Sequence, residues 1–299
     1  MYHNPVLLHT SIEGLRIKSD GIYVDATFGG GGHAKTILEK LKDGHLYAFD
    51  QDEEAARNAF NDSRFTFINQ NFRYLKNFLK LHGVTSVDGI LADLGVSSHQ
   101  FDRADRGFST RLEGKLDMRM YQGAPLSAYD LVNSYTLEEL NQIIKDYGEL
   151  KNSYKVAKAI VSAREQQPIE TTNDLTRAVK SCFAPNKLNK SMAMLFQALR
   201  IVVNDEIEAL KDFLKQATEI LVSGGRLVVI SYHSLEDRLV KNLIKTGNFE
   251  GELMKDFFGN PQVIYKAVNR KVIVPDDKEI ESNSRARSAR LRIAEKISA

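Results

Sequence analysis

The stretch Tyr23-Val-Asp-Ala-Thr-Phe-Gly-Gly-Gly-Gly-His33 constrains the fold more than any other part of the chain. An apolar, buried-type strand runs into four consecutive glycines and then into a helix start, which is how a parallel βαβ unit begins. Glycines at such a turn permit positive φ and let the backbone approach a bound molecule, while the helix N-terminus offers N–H groups without partners. Each glycine loses more backbone entropy on folding than alanine would, so a plain tight turn is a poor explanation for four of them, and a ligand is expected here.

The same alternation of short apolar runs and amphipathic patterns continues to about residue 100. It predicts strands over Ile22 to Ala26, Leu46 to Phe49, Phe65 to Ile68 and Val87 to Ala92, with helices near 33–41, 52–61 and 72–82. Asn71 is placed to cap the third helix and Gly83 to close it. From about Arg103 to Lys190 the strand signal gives way to polar helical patterns, with Thr136-Leu-Glu-Glu139 resembling a capping box and Pro168 marking a break. A helical run from Ser191 to about Val222 ends at Gly224-Gly225, strand Arg226 to Ser231 resumes the α/β pattern, Ser234 opens a helix, and Ser288 to Ile297 reads as a closing strand. The expected organisation is a discontinuous sheet domain, 1–103 with 191–299, interrupted by a helical insertion, 104–190, for substrate recognition. A length of 299 residues agrees with one large and one small domain.

Composition narrows the function classes. The single cysteine, Cys182, excludes an intrachain disulfide and any metal site built on cysteines, and it fits a reducing compartment; no metal is expected. The N-terminus has no basic segment followed by an apolar stretch, and runs such as Leu227 to Ile230 are too short to span a bilayer, so a cytoplasmic protein without a membrane anchor is expected. A formal net charge of +2 does not by itself argue for a polyanionic partner.

Three acids lie at the carboxyl ends of predicted strands. Asp50, about twenty residues beyond the glycines, is placed to accept hydrogen bonds from ribose hydroxyls, which NAD and S-adenosylmethionine both carry; Asp52 suits an N-cap better. Asp25, just ahead of the glycines, would repel a pyrophosphate but suit the cationic amino-acid end of S-adenosylmethionine, which makes a dehydrogenase the weaker option. Asp93, in Asp93-Leu-Gly-Val-Ser-Ser-His-Gln100, lies at the carboxyl edge where open sheets place ligands, and either meets the methionine part of the cofactor, accepts a hydrogen bond from a substrate amine, or is a solvated loop acid. His233 and Ser234 reach the same edge, facing a substrate or serving as a structural histidine and a helix cap.

Seven motifs in order resemble the RsmH (MraW) family: Asp25-Ala-Thr-Phe-Gly-Gly-Gly-Gly-His33, Asp93-Leu-Gly-Val-Ser-Ser98, Arg106-Gly-Phe-Ser109, Leu116-Asp-Met-Arg-Met120, Ala198-Leu-Arg-Ile-Val-Val-Asn204, Ser231-Tyr-His-Ser-Leu-Glu-Asp-Arg238 and Arg285-Ala-Arg-Ser-Ala289. The resemblance runs through nearly the whole chain. It implies an α/β protein with a Rossmann-like class I methyltransferase sheet and an inserted, smaller helical domain. It also implies a bacterial enzyme that uses S-adenosyl-L-methionine to methylate the exocyclic N4 of a decoding-centre cytidine in 16S rRNA within the small ribosomal subunit. Carried onto matching positions, its cofactor contacts are Gly31, Gly32, His33, Asp50, Phe72, Asp93 and Gln100. Tyr121 and Ser284 depart from the family's usual acid and proline, which touches substrate detail and not the reaction class.

Under this reading Asp93 and His233 are the candidate catalytic residues. Methylation at cytosine C5 would need a cysteine nucleophile, and Cys182 reads as an apolar packing residue, so direct amine methylation fits better. Phe101 or Phe108 would stack on an unstacked base, or anchor its loop in a core. Arg103, Arg106, Arg111 and Arg119, with Arg285, Arg287, Arg290 and Arg292, would meet RNA phosphates, and Ser234 the substrate; a solvated charged face explains each cluster almost as well. The other readings are a catalytically silent RNA-binding assembly factor that keeps the cofactor fold, and, third, an NAD-dependent oxidoreductase. A homodimer is left open.

Overall fold

The computed structural model describes residues 5–297. Seven strands form one sheet: β1 (Ile22–Asp25), β2 (His45–Phe49), β3 (Phe65–Ile68), β4 (Val87–Asp93), β5 (Leu221–Ser231), β6 (Tyr265–Ala267) and β7 (Arg290–Lys296). Their order is β3-β2-β1-β4-β5-β7-β6. The first five are parallel, and β7 lies antiparallel to both β5 and β6.

The central strands carry apolar residues on both faces, over residues 23–24, 90–92 and 227–230, because both faces of the sheet are covered, as parallel sheets require. Along β4, Ile90 and Ala92 join one core cluster while Leu91 joins the other, and along β5 Leu227 and Val229 alternate with Val228 and Ile230. The first cluster is closed by Leu75 and Leu79, by Phe213 and Leu214 from helix Glu206–Ile220, and by Val240 from helix Ser234–Thr246. The second is closed by Leu15 from helix Leu8–Leu15 and Ile37 from helix Gly32–Lys40. This α/β sheet covered on both faces is the expected fold class.

The chain divides into two compact units, Met1–Gly95 with Ile207–Ala299, and Val96–Glu206. These limits differ from the expected 103/104 and 190/191, and the reason for the second difference lies in the predicted run 191–222. It is two helices, Leu188–Val203 and Glu206–Ile220, parted at Asp205, whose φ of 49° is left-handed. Asn204 holds the break: its Oδ1 accepts from Met120 N at 2.7 Å and its Nδ2 donates to Met118 O at 2.8 Å. Met192, Leu195, Phe196 and Leu199 therefore pack in the insertion's own core, with Leu140, Ile144, Val156 and Ile160. Gly224-Gly225 also reads differently. β5 begins at Leu221 opposite Val87, then slips across Gly224, φ 77°, to set Arg226 opposite Gly89, so the glycines mark a bulge inside the strand and not the helix end.

The second unit is all helical in its long elements, with capping boxes at Ser127/Asp130, Thr136/Glu139 and Thr171/Asp174. Among the described residues no helix is long and apolar enough to cross a membrane.

Candidate active site

The glycine turn is tied to its neighbours before any ligand is considered. Ala26 N donates to Leu91 O and Phe28 N to Phe49 O, both at 2.8 Å, so the chain leaving β1 is stitched to β4 and β2. Gly29 N donates to Asp50 Oδ2 and Asp52 N to Asp50 Oδ1, again at 2.8 Å, while Asn58 Nδ2 holds Gly29 O. Thr27 Oγ1 accepts from Asp93 N at 2.6 Å, which locks the turn to the end of β4. Gly31 has φ 76° and precedes helix Gly32–Lys40, which has no side-chain cap. A Cβ on Gly31 would meet the Phe28 and Phe60 rings at 3.0 Å, and one on Gly32 would meet Pro5 Cγ at 2.2 Å. Both glycines are thus demanded by packing as well as by any ligand.

Three acids end adjacent strands. Asp25 is buried; its Oδ1 accepts from Thr27 N at 3.1 Å, and its Oδ2 has no hydrogen-bond partner. Burial pushes this carboxyl up to about 7, helped by the charge of Asp50 and opposed by the N–H groups of Thr27 and Ala34. Asp93 is likewise pushed up to about 7 by burial, with Asp25 and Glu236 adding repulsion and the Tyr232 hydroxyl working against them. That hydroxyl donates to Asp93 Oδ1 at 2.7 Å, leaving Oδ2 on a side chain 22% exposed. Its own proton is held firmly, because burial and Asp93 raise Tyr232 well above the usual tyrosine range.

His33 is buried, and burial lowers it to about 4, so it is neutral beside these acids. Its Nε2 lies 3.0 Å from Val6 O, which makes Nε2 the protonated nitrogen and turns a bare Nδ1 toward Asp93 Oδ2, 3.9 Å away. Neither Asp25 nor Asp93 pairs with a lysine or arginine among the described residues. A carboxylate set short of positive charge suits a cationic ligand and not a pyrophosphate. The orphaned Asp25 Oδ2 complements an ammonium or sulfonium, and Asp50, a carboxylate directly after β2, is an acceptor of the kind a ribose hydroxyl needs. The residues present therefore fit S-adenosylmethionine.

The remaining expected residues divide. Phe72, after β3, is partly buried edge-to-face on Phe213. Asp52, not Asp50, caps Glu53–Asn58. His233 is the N-cap of helix Ser234–Thr246: its Nδ1 accepts from Glu236 N at 3.4 Å, and its Nε2 lies 3.1 Å from Glu236 Oε1 without hydrogen-bond alignment. His233 thus takes the structural role held open for it, and the cap expected of Ser234 is corrected, since Ser234 is the first helical residue after it.

In the second unit Gln100 is buried and shares a capping box with Ser97. Arg106 and Phe108 are corrected as RNA contacts. Both are buried, with the Arg106 guanidinium donating to the carbonyls of Arg119 and Met120 at 3.0 Å and lying over the Phe108 ring. Phe101 packs partly against the same core. Arg103 and Arg119 stay nearer the surface, each forked onto a neighbour, Asp105 and Asp117. In the first unit Arg292 grips Asp237 at 2.7 and 3.0 Å, whereas Arg287 is exposed. Tyr232 and Thr27 were not singled out from sequence. A polar aromatic directly after the apolar run of β5 was the available signal for the first.

A doubly covered parallel sheet with an antiparallel edge, and a glycine turn flanked by Asp25 and Asp93, which pair with no lysine or arginine among the described residues, defines a class: the Rossmann-like, S-adenosylmethionine-dependent class I methyltransferases. Within it, the chain belongs to the MraW methylase family, whose family model matches residues 1–297. It is 59% identical over 297 residues to the Ribosomal RNA small subunit methyltransferase H of Flavobacterium johnsoniae, covering 99% of this chain and 98% of the relative. The protein of the same name from Christiangramia forsetii is 57% identical with the same coverage. A solved rRNA methylase from Streptococcus thermophilus is a distant likeness, with a TM-score of 0.45 and 12% identity over 97% of this chain and 96% of that one.

Proposed function

We propose that this protein methylates the exocyclic N4 of a cytidine in the decoding centre of 16S rRNA, acting in the cytoplasm on the small ribosomal subunit. The names of its relatives support RNA of the small subunit as substrate, and the motif resemblance supports the cytosine amine. The observation that carries the chemistry is the Asp93–Tyr232 pair at the carboxyl edge of β4 and β5, where Asp93 meets no lysine or arginine among the described residues.

When bound, S-adenosylmethionine supplies an electrophilic methyl on a cationic sulfur. Asp25 and Asp50 hold its cationic and ribose ends. The cytosine amine is a weak nucleophile because its lone pair is delocalised into the ring, so orientation is most of the task. Asp93 Oδ2 accepts a hydrogen bond from the amine and turns the lone pair out of conjugation, while Tyr232 fixes the carboxylate through Oδ1. As nitrogen bonds to carbon it loses a proton, and a carboxyl near 7 is matched to receive it at neutral pH. His233 has no place in this step. Arg103, Arg111, Arg119 and Arg285 remain as candidates for RNA phosphates, and the insertion for substrate recognition.

Mass-spectrometric nucleoside analysis of 16S rRNA, incubated as small subunits with the protein and methyl donor, tests the reading. N4-methylcytidine should form only with the protein present, and Asp93→Ala should depress single-turnover transfer far more than RNA affinity. Product at another base, or full transfer by Asp93→Ala, would overturn it.

A further inference from the structure

A cavity of about 330 Å³ opens at the carboxyl end of β5, within the size range of small-ligand sites. It is lined by Tyr232, His233 and Ser234 on one side and by Arg287, Ser288 and Arg290 on the other. The antiparallel pairing of Ser231 with Arg290 brings these two segments together. The short turn Ser284–Ser288 is anchored by buried Ala286 and Ala289, which leaves Arg287 and Ser288 facing outward on a rigid support.

The charges around it are uneven. Asp237 is already forked by Arg292, so Arg290, at 3.3 Å from the same acid and half exposed, keeps much of its positive field. Arg287 has no hydrogen bond or ion pair among the described residues. Helix Ser234–Thr246 starts at the cavity with its positive dipole end, and Nε2 of the buried His233 lacks a hydrogen-bond partner. The acids close by are engaged: Glu236 in the helix cap, Glu279 on Leu7 N, and Asp93 on Tyr232. Arginine, a hydroxyl and a helix N-terminus together make an anion site with the geometry that phosphate oxygens favour.

We propose that this cavity is a subsite for a backbone phosphate of the strand that carries the target nucleoside. The proposal rests on the RNA-methylation reading above and deepens it. Tyr232 belongs to both places: its hydroxyl meets Asp93 and its residue lines the cavity, so a phosphate seated here sets the distance between strand and carboxylate.

The test compares the wild type with Arg287→Ala, Arg287→Glu and a remote control, Lys245→Ala, exposed near the far end of the same helix. Binding of a labelled single-stranded RNA is measured against salt, and transfer to small subunits is followed in parallel. Arg287→Ala should raise KM about tenfold with little change in kcat, and lower the salt slope of RNA binding by about 0.7, the value for one single-strand phosphate contact. Arg287→Glu should go further, Lys245→Ala should do neither, and S-adenosylmethionine binding by calorimetry should be unchanged in all. Normal methylation with an unaltered KM and slope in both Arg287 variants overturns the phosphate site and leaves the RNA reading standing. Loss of RNA binding on charge reversal in a protein that transfers no methyl does the opposite. A wild type that neither binds RNA nor methylates it ends both.

Discussion

Replacing Tyr232 with phenylalanine keeps the ring against Gly95 and removes only the hydroxyl that donates to Asp93. A hydrogen bond to a charged group contributes about 1.5–3 kcal/mol, and the 22% exposure of Asp93 argues for the lower end. At 1.36 kcal/mol per pKa unit, that is about one unit. The direction follows from which form is favoured: the hydroxyl stabilises the carboxylate, so its loss raises a pKa already pushed up to about 7. If transfer needs ionised Asp93, activity rises with pH through that value, and Tyr232→Phe should move the midpoint to about 8. At pH 7.5 the ionised fraction then falls from about three-quarters to about one-quarter, while above pH 9 the two proteins converge. Single-turnover methyl transfer with a labelled donor from pH 6 to 9.5 reads this directly. An acid limb that stays in place, or a loss equal at every pH, would refute the electrostatic coupling and reduce Tyr232 to packing.

Asp25→Asn should separate stability from cofactor affinity. A carboxyl held near 7 in the folded state and near 3.8 unfolded binds more protons when folded, so stability falls as pH rises from about 4 to about 7. The asparagine variant should melt at least about 2 °C above wild type at pH 8, show no such gain at pH 4, and bind S-adenosylmethionine more weakly by calorimetry. An equal gain at both pH values would show that burial of charge is not the cause. Cys182→Ser should leave transfer within about twofold, since burial raises that thiol away from the reactive thiolate; a loss of about a hundredfold would bring covalent chemistry at cytosine C5 back into play.

The strands that carry the acids were legible because each is apolar on both faces, so β1 to β4 read within one residue of their observed ends. β6 was not, since Tyr265-Lys-Ala267 pairs only along an edge and buries just its tyrosine. Helix 52–61 shrinks to Glu53–Asn58 because only Ala55 is buried, and no apolar stripe extends it. Asp25, Asp50 and Asp93 could be found from position alone, as polar residues following buried strands. Arg106 could not. Its burial depends on two carbonyls, of Arg119 and Met120, that arrive from thirteen and fourteen residues along the chain, and nothing adjacent to it announces them. His233 illustrates a subtler gap, where the neighbouring serine is the commoner cap and the histidine takes the role because Glu236 completes a box with it.

The hydrogen bonds from Gly29 and Asp52 to the two oxygens of Asp50 shape the glycine turn within the polypeptide itself. Its ordering is completed during folding, so docking of the methyl donor has little conformational freedom left to quench and inherits a receptor already in its final form. Exchange of spent for fresh donor can then proceed without remaking that wall of the pocket between turnovers.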